Sequence, residues 1–245
     1  MIRVENIAVW GFEHAVRGMR NPHLSHDKSD SRWEWVEDPS PINPDDPGMT
    51  FVIGENDLDL MRRLYRAGTE HRKYLRQIFV SMDITAPLYW WKEMDQYKVG
   101  TVTDSCSTMH KIAAKEFELD DFSWEQLLTT GCDLFRYEFG KGLFAAQVQP
   151  LGFLNHFIIP SLNVCREKYL ETKDKKYWWQ LIQLLPSSYN QRRTLTMNYE
   201  NVVSIIRQRT GHKLDEWNAF VEVLKDLPYV KEIADALAKN QEDKV

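Results

Sequence analysis

Ile78, Val80, Met82 and Ile84 alternate with Phe79, Ser81 and Asp83, the period-two pattern of a strand with one buried face. Ala86 and Pro87 follow, and Pro87 suits the first position of a helix, where no N–H is needed. Leu88, Trp91 and Met94 then share one helical face, and the chain leaves through Gln96-Tyr97-Lys98 into a polar loop. Earlier, Leu58, Met61, Leu64 and Tyr65 predict an amphipathic helix over 57–67, closed by Gly68 as its C′ residue. Ile7 to Trp10 reads as a short strand, followed by a helix-like AVRGMRNP that stops at Pro22. From Asn198 another helix begins, with Val202, Val203 and Ile206 at its apolar positions.

Elsewhere the pattern is coarser. Residues 23–50, rich in His, Asp, Ser and Pro, read as an irregular surface excursion. Residues 112–184 are mostly helical in pattern, including an apolar stretch from Leu143 to Val164 that Pro150 and Pro160 interrupt. Leu214 to Leu237 holds two helical patterns divided at Pro228, and 240–245 should fray. Tandem aromatics such as Tyr177-Trp178-Trp179 suit a core or subunit interface better than a cofactor box.

With 245 residues, 43% hydrophobic and 12% aromatic, the chain is expected to bury one elaborated domain over 1–245. A net charge of −5 argues against a general nucleic-acid binder, which carries a clustered basic excess. Cys106, Cys132 and Cys165 are odd in number and widely spaced, so neither a disulfide framework nor a zinc knuckle is suggested. The amino terminus has no continuous apolar core of a signal peptide, and no run reaches the roughly 18 apolar residues of a membrane span. A cytoplasmic protein without membrane contact is the expectation. His23 and His26 lack further ligands at metal spacing, so no metal is expected. Ser105-Cys106-Ser107 has only His110 close by in sequence, too little to define a nucleophile and its base.

Two separated blocks resemble the flavin-dependent thymidylate synthases. In that family a strand ends in A-P, enters a helix and exits in R-H-R-x-x-S-x-N-E-x-S-x-R. Here Ala86-Pro87 is kept, Gln96-Tyr97-Lys98 stands for R-H-R, Thr101 for S, Thr103-Asp104 for N-E, Cys106 for S and Thr108 for the closing R. The second block, LPSSYNQRRTLTMN over 185–198, matches a family segment that begins L-P and ends T-x-N before a helix, and Arg209 falls on the family's arginine without a gap. His212 follows where the family has a histidine shortly beyond. Ala15-Val16-Arg17 and Arg20 echo a family stretch near the amino terminus, and His71 stands about where the family carries a histidine near its flavin.

The resemblance implies an α+β fold, a mixed sheet flanked by helices, and assembly as a homotetramer with sites between subunits. It implies methylation of dUMP to dTMP with bound FAD, with NADPH as reductant and methylenetetrahydrofolate as carbon donor. By position it assigns His71, Gln96, Tyr97, Lys98, Asn198 and His212 to the cofactor, and Asp104, Ser105, Cys106, Ser107, Thr108 and Arg209 to the substrate, with Arg209 also catalytic. Several family cations are replaced: Thr108 and Ile182 occupy arginine positions, and Glu200 stands where a third arginine would meet phosphate. Lys98 offers a point charge where two arginine forks stood. His110, Lys111, Arg192 and Arg193 are nearby in sequence as substitutes. Two classes therefore stay open, an enzyme of this chemistry and a nucleotide-binding relative without methyl transfer.

Overall fold

A computed structural model describes residues 2–35, 48–130, 137–139, 142–144 and 149–233. In chain order it contains β1 (Arg3–Trp10), α1 (Phe12–Arg20), β2 (Arg32–Trp35), β3 (Met49–Val52), α2 (Glu55–Ala67), β4 (Phe79–Pro87), α3 (Leu88–Met94), β5 (Thr101–Ser105) and α4 (Thr108–Lys111). There follow β6 (Tyr137–Phe139), β7 (Gly142–Phe144), α5 (Pro150–Phe153), α6 (Ile159–Thr172), α7 (Lys175–Leu184), β8 (Asn190–Asn198), α8 (Tyr199–Arg209) and α9 (Asp215–Lys225). The class is α+β, with helices flanking a four-stranded sheet of order β1-β4-β8-β5. The chain divides into two interleaved units, one made of residues 2–85, 93–104 and those from 193 on, the other of 86–92 and 105–192.

The sheet belongs mainly to the first unit. The alternation in β4 is realised in full: Val80, Met82 and Ile84 are buried while Ser81, Asp83 and Thr85 are half-buried on the other face. β1 pairs antiparallel with β4, with a register shift between Glu5 and Ala8. Thr194 donates to Asp83 and Thr196 to Ser81, so β8 also runs antiparallel to β4. Leu195 and Met197 are buried on β8, and Val202, Ile205, Trp217 and Phe220 are buried on α8 and α9, which pack together. Burying each such side chain contributes about 1.5–3 kcal/mol. Helix α2 ends at Gly68 as its pattern predicts.

The described residues of the 23–50 stretch include strands where an irregular excursion was expected. Trp33 and Trp35 of β2 pair with Phe51 and Met49 of β3, and the Trp33 and Phe51 rings meet edge to face at 5.4 Å. Both partners are short aromatic strands separated by a proline-rich segment, so the pairing has no local signal; residues 36–47 lie outside the described part. The approach to β2 is latched by Asp57, which is fully buried on α2. Its carboxylate accepts Arg20 Nε at 2.5 Å and the Ser29 and Ser31 hydroxyls at 2.6 Å each. Asp30 returns the favour at the start of α2, accepting the backbone N–H groups of Asn56 and Asp57.

In the second unit, Ile112, Phe117, Phe122, Leu154, Ile159, Leu162 and Leu181 form a buried cluster, and α6 packs on α7. The helical expectation over 112–184 holds from Pro150 on. Between 112 and 149, the described residues contain only a 3₁₀ turn at Leu119–Asp121 and the β6–β7 hairpin. Phe117, Phe122 and Tyr189 pack ring to ring there, an aromatic spacing that suits a non-helical path. Pro160 does not break its helix, because a π turn over Leu154–Ile158 precedes it and absorbs the missing N–H. Trp90 and Trp91 are fully buried, and Trp91 Nε1 donates to the Gln191 carbonyl at 2.9 Å. Strand β4 takes in Pro87, so α3 starts one residue later than the sequence suggests. Cys106 and Cys165 are free thiols, while Cys132 and the tail from 234 on lie outside the described residues.

Candidate functional site

Helix α3 ends at Met94, and the turn that follows places Tyr97 four residues after Glu93. Helix α8 delivers Arg209 in its last turn, and α9 delivers the fully buried Trp217. These meet. Arg209 Nη1 donates to Glu93 Oε2 at 2.7 Å and Arg209 Nε to Tyr97 Oη at 2.9 Å. The same Glu93 oxygen accepts the Trp217 indole N–H at 3.0 Å. The Arg209 guanidinium carbon lies 4.5 Å from the Trp217 ring centroid and 5.5 Å from that of Tyr97, within cation–π range of both. Tyr97 in turn donates to Gln208 Oε1 at 3.0 Å.

His212 joins the cluster at its edge. Its Nδ1 accepts the Leu214 backbone N–H at 3.1 Å, which leaves the proton of the neutral ring on Nε2. Nε2 lies 3.6 Å from Glu93 Oε2 and 3.1 Å from Arg209 Nη1. Glu93 Oε2 is therefore the acceptor on which two donors, from Arg209 and Trp217, converge. With its side chain only 19% exposed, Arg209 neither snorkels into water nor stands unpaired.

Beside Tyr97 a hollow of about 170 Å³ is lined by Asp95, Lys98, Thr101, Thr103 and Leu195. Lys98 is exposed where it lines this hollow, and Gln96 is exposed on the same turn. Arg193, one of the substitute cations, is ion-paired with Asp95 at 2.7 Å. Asn198 caps α8 by accepting the Asn201 N–H at 3.1 Å, and Asn201 Nδ2 donates to the carbonyls of Val99 and Gly100 at 3.0 Å each. Gly100 has φ +76°, and a Cβ there would come within 2.4 Å of Asn198 Nδ2.

A second hollow, about 200 Å³, lies between the end of α2 and α8, lined by Tyr65, Thr69, Arg72, Glu200, Ser204 and Arg207. His71 is exposed on the turn that separates Thr69 from Arg72. Arg72 stacks on the Tyr65 ring at 4.7 Å, and its Nη2 approaches Thr69 Oγ1 at 3.4 Å. Its buried Nε has no hydrogen-bond partner among the described residues. Burial pushes the Tyr65 hydroxyl up, against a pull from the charges of Arg72 and Arg207. Glu200 does not stand bare to repel a phosphate, because it is ion-paired with Arg76.

Of the remaining candidates, Ser107 caps a helix and Cys106 is bonded through its backbone. Asp104 is exposed on β5. In the second unit, Ser105 ends that strand, Cys106 N–H donates to the Arg192 carbonyl at 3.0 Å, and its carbonyl accepts from Gln191 Nε2 at 2.8 Å. Ser107 caps α4, accepting the His110 N–H at 3.2 Å, and Thr108 opens that helix. Ile182 packs against the hydrophobic cluster of this unit. Glu93 and Trp217 were not singled out by sequence. The signal for Trp217 is a buried indole N–H that needs an acceptor, and Glu93 is a carboxylate beside an apolar helix face.

A cavity of about 570 Å³ is lined by residues that include Trp10, Phe12, Trp33, Phe51 and Tyr229, and is mostly apolar. It contains none of the candidate residues; convergent polar groups, the better mark of a site, are at Arg209 and at Arg72.

No family model and no curated protein sequence matches this chain. Solved structures do. A flavin-dependent thymidylate synthase ThyX from Helicobacter pylori, complexed with FAD and dUMP, superposes with a TM-score of 0.60 at 15% identity, covering 95% of this chain and 99% of that one. A second structure of ThyX from that organism, with FAD and dUMP, gives 0.61 at 16% identity over 97% and 99%. The UMP/dUMP methylase PolB from Streptomyces cacaoi, bound with 5-Br dUMP, gives 0.57 at 15% identity over 98% and 95%. The chain thus has the fold of the flavin-dependent thymidylate synthases.

Proposed function

We propose that this chain binds a uracil nucleotide and, with FAD, methylates dUMP to dTMP, with methylenetetrahydrofolate giving the carbon and NADPH the electrons. The observation that carries this reading is the fixed guanidinium of Arg209, at the position where the resembling family keeps an arginine. Glu93 cancels its charge and Tyr97 and Trp217 fix its plane, while Nη2 makes no hydrogen bond among the described residues. A neutralised, oriented fork with one spare donor suits the carbonyl of a neutral pyrimidine better than a phosphate dianion. Such a donor also stabilises negative charge that develops on the base during reaction, without reorganising. The fold's solved relatives are bound with dUMP or 5-Br dUMP.

The phosphate needs a separate cation. Lys98, with the Thr103 hydroxyl beside it, suits one phosphate group, and its exposure keeps it accessible. The chemistry FAD supplies when bound is hydride transfer. The donor set of the Arg72 hollow, two guanidiniums of which that of Arg72 has a buried Nε with no partner among the described residues, fits an anionic part of such a cofactor. A homo-oligomer in an aqueous compartment belongs to the same reading; among the described residues no helix is long and apolar enough to cross a membrane.

The test is direct. Purified protein should be yellow or become so with FAD, should be stabilised by dUMP, and should produce dTMP, detected by mass, when all co-substrates are supplied. A colourless protein with no thermal shift on adding FAD and no dTMP sinks the enzymatic reading. One observation favours binding without methyl transfer: Ile182 sits in a hydrophobic cluster where the family has a phosphate-binding arginine. That reading predicts dUMP binding with no dTMP formed.

A further inference from the structure

The family signature's lost arginines leave a charge deficit, and the molecule contains an unassigned pair of guanidiniums that faces a cavity. Arg72 follows the four-residue turn from Gly68 to His71, and Arg207 projects from α8 two residues before Arg209. Both line the hollow of about 200 Å³, together with the hydroxyl side chains of Thr69 and Ser204. That volume holds several waters, or a small polyatomic anion that displaces them.

The electrostatics of this hollow are one-sided. Its carboxylate, Glu200, is engaged by Arg76, leaving its charge compensated before a ligand arrives. Arg72 lies over the Tyr65 ring, 4.7 Å from its centroid, and donates through Nη2 to Thr69 Oγ1 in a long bond of 3.4 Å. Its Nε is shielded from solvent and has no acceptor among the described residues, an arrangement that costs free energy unless an acceptor is supplied. A stacked guanidinium is pre-oriented, so little freedom remains to be lost when it binds an anion. Arg207 is exposed and lines the same hollow.

We propose that Arg72 and Arg207, with Thr69 and Ser204, form a pyrophosphate-binding site that replaces cations missing from the signature stretch. Two guanidiniums match the two charges of a diphosphate bridge, where Lys98 alone matches one phosphate. The identification of that anion with the diphosphate of a flavin dinucleotide rests on the functional reading above; the site itself rests on the cavity and its charges.

Calorimetry with inorganic pyrophosphate tests the site, using wild type, Arg207→Gln, and the double variant Arg72→Gln/Arg207→Gln. Arg207 is exposed, so the single variant keeps its fold even if the double one does not. Binding to wild type that weakens by about tenfold or more in Arg207→Gln is the expected result. No binding to wild type, or equal binding by Arg207→Gln, overturns it. Titrations with FAD and riboflavin identify the source of the anion: FAD should weaken in the variant and riboflavin, which lacks phosphate, should not. A dUMP titration separates the two proposals. dUMP binding without pyrophosphate binding refutes this site and leaves the nucleotide reading standing, and pyrophosphate binding without dUMP or FAD binding does the reverse.

Discussion

Glu93 and Arg209, 116 residues apart in sequence, are joined by a 2.7 Å charge-assisted hydrogen bond, and the carboxylate oxygen that accepts it also accepts the indole of Trp217. The arginine is therefore positioned from the far side by a group that no ligand needs to displace. Arg209→Lys keeps the charge but loses the Tyr97 bond and the flat contact with Trp217. It should lower unfolding stability by about 1–2 kcal/mol, measured by urea denaturation, because a part-buried bond and a cation–π contact are both weakened. It should also weaken dUMP binding by about tenfold. Unchanged dUMP affinity in a mutant that is less stable would assign Arg209 to the scaffold alone.

Lys98→Ala removes an exposed cation and should leave the unfolding midpoint unchanged. Ligand affinity is the sensitive quantity: a dUMP titration should shift by about tenfold if Lys98 meets the phosphate, while deoxyuridine, which lacks the phosphate, should bind wild type and mutant alike. Equal dUMP curves remove Lys98 from the site.

Asp57 governs acid stability. Burial alone would raise its pKa, but hydrogen bonds from Ser29, Ser31 and Arg20, and the charge of Arg20, outweigh it and hold the carboxyl below its ordinary 3.8. A folded pKa below the unfolded one stabilises the fold at all pH above 3.8, and that contribution drains away as pH falls from there through the folded value. Asp57→Asn should cost about 3–5 kcal/mol at neutral pH by stranding the buried Arg20. Its stability should also fall less steeply than wild type below pH 3.8, as thermal melts across an acid series will show.

Gly100→Ala places a Cβ at a left-handed φ of +76° and against the Asn198 amide. The conformation costs about 1–2 kcal/mol before the clash is counted. The expected result is a lower melting temperature together with weaker ligand binding, since Lys98 and the α8 cap share this turn. A melt identical to wild type refutes the tight turn.

What was legible in the sequence is what is local. The alternation of Ile78 to Ile84 fixes β4, the spacing of Leu58, Met61 and Tyr65 fixes the face of α2, and Asn198 marks the start of α8 as its cap. β5 escaped because Thr101–Ser105 is a polar, largely exposed strand without an apolar period. The β2–β3 pair escaped because its partners are distant in sequence and each is only four residues long. In the candidate site, Tyr97, Arg209 and His212 were found by resemblance and do meet. Glu93, which organises them, was not, because a lone carboxylate on a short helix looks like any solvated charge until tertiary structure brings its partners. Ser105 to Thr108 were expected at the substrate by resemblance; the bonds the structure shows there are backbone bonds of Cys106 and the Ser107 cap.

Helix α8 is tied to the 95–100 turn twice, by Asn201 to the carbonyls of Val99 and Gly100 and by Arg209 to Tyr97. The two ties are eight residues apart, about 12 Å along the axis. Helix and turn thus make a closed brace, like a strut bolted at both ends. A ligand that pulls on Tyr97 or Lys98 cannot move that turn alone; it must either break a tie or carry the whole helix, including Arg207, with it. One hollow is lined by α8 itself and the other by the turn bolted to it, so the brace joins the walls of both.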